Sequence, residues 1–220
     1  MKYAAVTNLT LVNPIIYGVN TEVARLEVPA HLTRSEAIGE VDNLISSASA
    51  EALARGAARF KDSVFTADLA APSGGSSTEQ RALLVAEITG NREPMAIIAL
   101  SAVNAVEGTP VALIAKVKKD PLIYRKGKVI ANTNFDPGLP IDAIFDQMQT
   151  FIQKDVYRRA IANGMIPVAG RQDSLLNIGP ADLFPVIDEI SKMQLRSNLR
   201  VIVVEDTRAA DRLKVRFELR

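Results

Sequence analysis

Cysteine and tryptophan are absent from this sequence of 220 residues, and His31 is its single histidine. The absence of cysteine excludes disulfides, thiolate zinc sites and thiol catalysis. Any mechanism with a histidine base would depend on His31 alone. No apolar run approaches the roughly 20 residues that a membrane helix needs, so we expect no membrane insertion by this chain. No cofactor is expected, because the sequence lacks a glycine-rich phosphate loop.

The sequence also has no large excess of charge of one sign, because basic and acidic residues nearly balance to a formal net charge of +1. The chain is 48% hydrophobic and 23% charged, which is typical of a folded globular protein. A balanced charge provides no general attraction to polyanions, so nucleic acid is not an expected partner.

The sequence contains an internal repeat. Pro14 and Tyr17 recur in register as Pro121 and Tyr124, and further apolar matches follow in the same order along the chain. Apolar patterns alone coincide often, but proline and tyrosine in register indicate a duplication. We therefore predict a tandem duplication of a unit of about 105 residues.

The repeat also predicts the domain organisation. The first repeat is expected at residues 1–117, with an extra N-terminal strand at Thr7–Val12, and the second at residues 118–220. We expect the two repeats to pack against each other, because their connection contains no flexible Gly/Ser run.

Each copy is predicted to have an α+β fold, in which two helices cover a mainly antiparallel sheet. The expected order is a hairpin, a long helix, a short helix and a strand pair. The long helices are predicted at residues 33–55 and 140–163, with Gly56 and Gly164 as left-handed C-terminal stops. Thr33-Arg34-Ser35-Glu36 predicts a capping box at the first helix start.

An apolar stripe is expected to face the core from each long helix. The predicted stripes are Ile38, Val41, Leu44 and Ile45 in the first copy, and Ile144, Met148, Ile152 and Val156 in the second.

Carboxylates are the candidate catalytic residues. Glu205 and Asp206 follow an apolar strand, and Asp136 ends another. Acidic residues at strand ends can hold a divalent metal ion, which leaves a hydrolase or nuclease as one alternative. The first copy has Ser101 and Ala102 at the positions of Glu205 and Asp206, so such a site would exist once. Solvated carboxylates are the simpler interpretation.

A basic segment between and after the repeats supports a second alternative, a polyanion binder. The candidate residues are Lys116, Lys118, Lys119, Arg125, Lys126 and Lys128. Aromatic side chains for stacking on bases are scarce around them. Lysines that keep a hairpin edge soluble explain the same pattern.

Two segments of the second copy carry a family resemblance. Tyr124-Arg125-Lys126-Gly127 lies between two predicted strands, and Val203–Thr207 precedes Leu213–Arg216. Together they resemble an uncharacterised bacterial domain family. That family forms the internally duplicated C-terminal region of membrane-anchored coiled-coil proteins, often labelled myosin-like.

The resemblance implies a parent protein with N-terminal membrane helices and a coiled coil, of which this chain would be a piece. The positive-inside rule would then place the domain on the extracytoplasmic side of the cell envelope. A coiled coil would bring copies together as a homo-oligomer. The resemblance supplies no catalytic residues. The leading hypothesis is a non-enzymatic binding or assembly module that recognises a protein partner or itself.

Overall fold

The structure is a computed structural model that describes residues 13–61, 63–70, 76–170, 175–176 and 178–220. The predicted N-terminal strand at Thr7–Val12 lies outside the described residues. The chain divides into two compact units. Unit 1 is Met1–Asp120 with Ala169–Arg171, and unit 2 is Pro121–Val168 with Gln172–Arg220.

The described residues of unit 1 form a four-stranded sheet, a two-stranded sheet and two helices. Its strands are β1 (Ile15–Tyr17), β2 (Glu22–Val28), β3 (Ala67–Leu69), β4 (Met95–Ser101), β5 (Ala105–Val106) and β6 (Val111–Lys119), and its helices are α1 (Arg34–Ala54) and α2 (Ser77–Ile88). The larger sheet has the order β2-β4-β6-β3, in which β3 is parallel to β6 and the other pairs are antiparallel. The short strands β1 and β5 pair antiparallel.

Helix α1 begins and ends as the sequence predicts. The hydroxyl of Thr33 accepts a hydrogen bond from the Glu36 amide at 3.3 Å, and the Glu36 carboxylate accepts one from the Thr33 amide at 2.8 Å. This reciprocal pair satisfies amides that the first helical turn leaves without partners. Gly56 ends the helix with φ +89°, a conformation that favours glycine.

The buried face of α1 differs from the predicted stripe by one residue. Val41, Leu44 and Ile45 are buried as predicted, but Ile38 is 46% exposed and Ala37 is fully buried in its place. A step of four residues turns an α-helix slightly more than one full turn, so Ala37 shares the face of Val41 while Ile38 lies beside it. The α1 face packs with residues of α2 and the sheet into one core.

The described residues of unit 2 form a three-stranded sheet, a two-stranded sheet and helices. Its strands are β7 (Leu122–Tyr124), β8 (Val129–Phe135), β9 (Ser197–Val203), β10 (Thr207–Arg208) and β11 (Val215–Leu219). The antiparallel order is β11-β9-β8, and β7 pairs with β10. Leu176 forms an isolated parallel bridge with Leu213.

The long helix of unit 2 changes its hydrogen-bonding pattern midway. It runs through α3 (Ile141–Phe151), a π-helical segment (Ile152–Tyr157) and α4 (Arg158–Ala162), and Gly164 follows with φ +106°. A second helix, α5 (Pro180–Lys192), continues through Pro185. The core of unit 2 lies between these helices and the sheet.

Both units therefore mix helices with mainly antiparallel strands, in agreement with the predicted α+β class. Among the described residues, no helix combines the length and the apolar character needed to span a membrane.

Candidate functional site

Glu205 and Asp206 occupy the turn after β9, and both have local structural partners. Asp206 accepts a hydrogen bond from the backbone amide of Lys126 at 2.8 Å. Glu205 forms an exposed ion pair with Lys214, with 2.9 Å between Oε1 and Nζ. Asp206 thus ties the turn between β7 and β8 to the end of β9.

Asp136 lies at the opposite end of the same sheet. Its carboxylate accepts the Gly138 amide at 3.0 Å and faces Arg196 at 3.3 Å. Phe135 pairs with Ser197, whereas the β8 start pairs with the β9 end, so more than about 17 Å of strand separates Asp136 from Glu205. The structure does not bring these three carboxylates together. Within the part of the chain that the structure describes, no cluster of three acidic or histidine side chains is arranged to hold a metal ion.

The candidate basic residues divide between the two units. Lys116, Lys118 and Lys119 are exposed near the end of β6 in unit 1. Lys116 and Lys118 alternate with Val117, which packs on the core, and Lys119 is paired with Glu93 at 2.7 Å. This half of the predicted patch is a solvated strand end.

The other three basic residues lie around the turn between β7 and β8 in unit 2. Arg125, Lys126 and Lys128 are all exposed. The Asp206 carboxylate accepts the Lys126 amide and so places a negative charge within this turn. Each unit thus carries three of the six candidate basic residues.

A groove of about 560 Å³ in unit 2 is large enough to hold a ligand. It lies between the long helix and the segment that leads into α5. Its lining residues are Phe145, Gln149, Ile152, Gln153, Lys154, Tyr157, Arg158, Leu176, Ile178, Gly179 and Leu183. Its volume lies in the usual range of about 300–1,000 Å³ for small-molecule sites.

The π-helical segment forms much of one groove wall. Ile152, Gln153, Lys154 and Tyr157 belong to that segment and line the groove. π-Helical turns are rare in proteins, but those that occur are frequently found at functional sites. Such a turn changes which side chains the helix presents on a given face.

The groove combines apolar side chains with two cations. Among the described residues that line it, Lys154 and Arg158 carry charge and none is a carboxylate. The ring of Phe184, which is 60% exposed, stacks on Phe145 with 6.1 Å between centroids. The nearby Asp182 carboxylate accepts the Gly179 amide at 2.8 Å and caps α5.

Sequence reasoning missed this groove, because the apolar spacing of the long helix does not distinguish a π-helical turn from a regular α-helix. The predicted stripe from Ile144 to Val156 advances in steps of four residues. Each such step overshoots a full α-helical turn by about 40°, so three steps would carry the stripe about 120° around the helix. An ordinary buried helix face is this broad, and both ends of the stripe are buried, with the π-helical segment at its C-terminal end.

Comparison with protein families, curated proteins and solved structures gave no match for this chain.

Proposed function

We propose that this chain is a non-enzymatic binding and assembly module, built by tandem duplication, whose second unit carries a ligand groove. The groove of unit 2 is the observation that carries the proposal. It joins a substantial volume to apolar walls and a few polar groups, as small-molecule sites do.

Matching topology supports the duplication. β1 pairs with β5 as β7 pairs with β10, and the antiparallel order β2-β4-β6 corresponds to β8-β9-β11. The parallel pairing of β3 with β6 has a counterpart in the parallel bridge between Leu176 and Leu213. A long helix ended by Gly56 in unit 1 and Gly164 in unit 2 follows the second strand of each unit.

A buried tyrosine in the first strand of each unit adds a more specific correspondence. The guanidinium of Arg55 lies 4.6 Å from the centre of the Tyr17 ring. In unit 2, Asn163 donates a hydrogen bond of 2.8 Å to the hydroxyl of Tyr124. Arg55 and Asn163 each cap the end of the long helix, so the same position contacts the same tyrosine in both units.

The placement of the acidic residues favours binding over hydrolysis. Asp206 accepts a hydrogen bond from a turn amide, and Glu205 forms an ion pair. Asp136 lies at the far end of the sheet, where it accepts the Gly138 amide. A metal-dependent hydrolase would need such carboxylates to converge on one ion. Their structural partners account for these residues without catalysis.

The parent protein is part of the proposal and rests on the resemblance of the Tyr-Arg-x-Gly and C-terminal segments. We place the module at the end of a membrane-anchored coiled coil, on the extracytoplasmic side of the cell envelope. A coiled coil would present several copies of the groove together and raise the local concentration of binding sites.

A small-molecule screen on isotope-labelled protein tests the proposal. We expect hits to perturb amide signals of groove residues, and Gln153→Trp to abolish these effects by filling the groove. Thr150→Trp is the matched control, because Thr150 is exposed on the same helix but does not line the groove. Hits confined to other surfaces, or turnover of any substrate that depends on Asp206, would contradict the proposal.

A further inference from the structure

We infer that the groove of unit 2 binds a small organic anion with an apolar body. This inference rests on the proposed function and specifies the chemical class of its ligand. Lys154 and Arg158 would contact the anionic group, and the apolar walls would cover the remainder of the molecule.

The charge of the groove selects the sign of the ligand. Lys154 and Arg158 both line it, and neither forms an ion pair with any described residue. The neighbouring acid Asp182 caps α5, and Asp155 belongs to the π-helical segment without lining the groove. Two cations with no carboxylate among the described lining residues attract an anion, and a guanidinium can hold a carboxylate or phosphate by two hydrogen bonds.

The walls select an apolar body. Phe145, Ile152, Ile178 and Leu183 line the groove, and Phe184 extends this surface by stacking on Phe145. Apolar area removed from water contributes about 25 cal/mol per Å², so the walls provide affinity while the cations provide selectivity. A hydrophilic anion such as inorganic phosphate would leave these walls exposed.

The space itself arises from an extra residue in the long helix of unit 2. The inward-facing positions of residues 37–45 in α1 match those of residues 144–152. The next buried residue comes three positions later in α1, at Ala48, but four positions later in unit 2, at Val156. One additional residue therefore falls within the π-helical segment.

At the corresponding place in unit 1, hydrogen bonds join α1 to β3. The hydroxyl of Ser49, directly after Ala48, donates to the carbonyl of Ala67 at 3.0 Å and accepts the Ala67 amide at 3.2 Å. These bonds hold α1 against β3. Unit 2 has Tyr157 directly after Val156, and Tyr157 lines the groove. The long helix is thus bonded to the neighbouring strand in unit 1, whereas in unit 2 it lines the groove.

Competition binding tests the ligand class. Anilinonaphthalene sulfonate, an anion with an apolar body, serves as the fluorescent probe, and decanoate and decanol serve as competitors of equal chain length. We expect decanoate to displace the probe at least about tenfold more effectively than decanol, because only decanoate can pair with the two cations. Added NaCl should weaken decanoate and leave decanol nearly unchanged.

Charge variants locate the effect. The double variant Lys154→Gln/Arg158→Gln should lose at least about tenfold in decanoate affinity and little in decanol affinity. Arg125→Gln/Lys128→Gln is the matched control, because it removes the same charge from the exposed turn between β7 and β8. Circular dichroism verifies that both variants fold, and the salt dependence of the unaltered chain gives a readout that needs no variant.

The outcomes separate the two proposals. If decanol competes as well as decanoate, or if salt has no effect on decanoate, the ligand class is wrong while the groove remains a binding site. If neither competitor nor any screened compound binds in the groove, the proposed function is wrong and the inference with it. A dimer that Gln153→Trp dissociates would assign the groove to a second copy of the chain and overturn the inference.

Discussion

Deleting Asp155 should convert the π-helical segment of unit 2 into a regular α-helix. Asp155 is exposed and does not line the groove, so its removal leaves every lining side chain in the sequence. The interval from Ile152 to Val156 would then equal the one that α1 has between Ile45 and Ala48. We therefore expect the deletion to change the free energy of unfolding by no more than about 1 kcal/mol.

The same deletion in unit 1 should be far more costly. Removing the exposed Ser47 would turn the rest of α1 by about 100° relative to the core. Ala48 and Ala52 would each lose a buried methyl group, worth about 0.8 kcal/mol. Ser49 would lose two buried hydrogen bonds to Ala67, worth about 1 kcal/mol each. We therefore expect the free energy of unfolding to fall by about 4 kcal/mol. This is a large part of the total, which is typically about 5–15 kcal/mol for a protein domain.

Urea unfolding followed by circular dichroism measures both deletions in the full chain. Equal destabilisation by the two deletions would show that the π-helical segment is not an inserted residue, and would refute this reasoning. Probe binding gives a second readout. Deletion of Asp155 should abolish it, although loss of an acidic residue alone would favour an anion. Retained binding would show that the groove does not depend on the π-helical turn.

Three further predictions concern individual side chains. Tyr17→Phe should raise the free energy of unfolding by about 1 kcal/mol, because the buried hydroxyl of Tyr17 finds no hydrogen-bond partner among the described residues. Tyr124→Phe should instead lower it by about 1 kcal/mol, because it removes the hydrogen bond from Asn163. Denaturant titration of both variants measures the two changes. Burial raises the pKa of Tyr17 to about 12, so this tyrosine ionises first in the unfolded chain and the free energy of unfolding should fall as the pH rises from 10 towards 12. Unfolding measured across this pH range should show the fall, and Tyr17→Phe should lack it. Hydrogen bonds from Thr33 lower the pKa of Glu36, so the capping box should stabilise the fold above the ordinary glutamate pKa and lose this effect as the pH falls below it. Thr33→Ala should lower the free energy of unfolding by about 1 kcal/mol at neutral pH and reduce its dependence on acid. Unfolding measured at a series of pH values tests both effects.

Short-range features could be predicted from the sequence because neighbouring residues determine them. The capping box needs Thr33 and Glu36 three positions apart, and the helix stop at Gly56 needs a residue that tolerates positive φ. Both interactions close within one helical turn, so no distant part of the chain is required to form them.

Longer-range features depended on strand register and helix rotation, which local patterns do not specify. Asp136 and Glu205 both follow apolar strands in the sequence, yet antiparallel pairing of β8 with β9 sends them to opposite ends of the sheet. Ile38 is more hydrophobic than Ala37, but the sheet and α2 select the face on which Ala37 lies.

The groove shows the same division within one helix. Steps of four between apolar residues from Ile144 to Val156 predict a helix with a broad buried face, and they fit a regular α-helix as well as a π-helical turn. Packing against the sheet and the segment before α5 determines whether this helix stays regular or forms a π-helical turn. That packing, which joins residues distant in sequence, placed Lys154 and Arg158 beside an apolar groove.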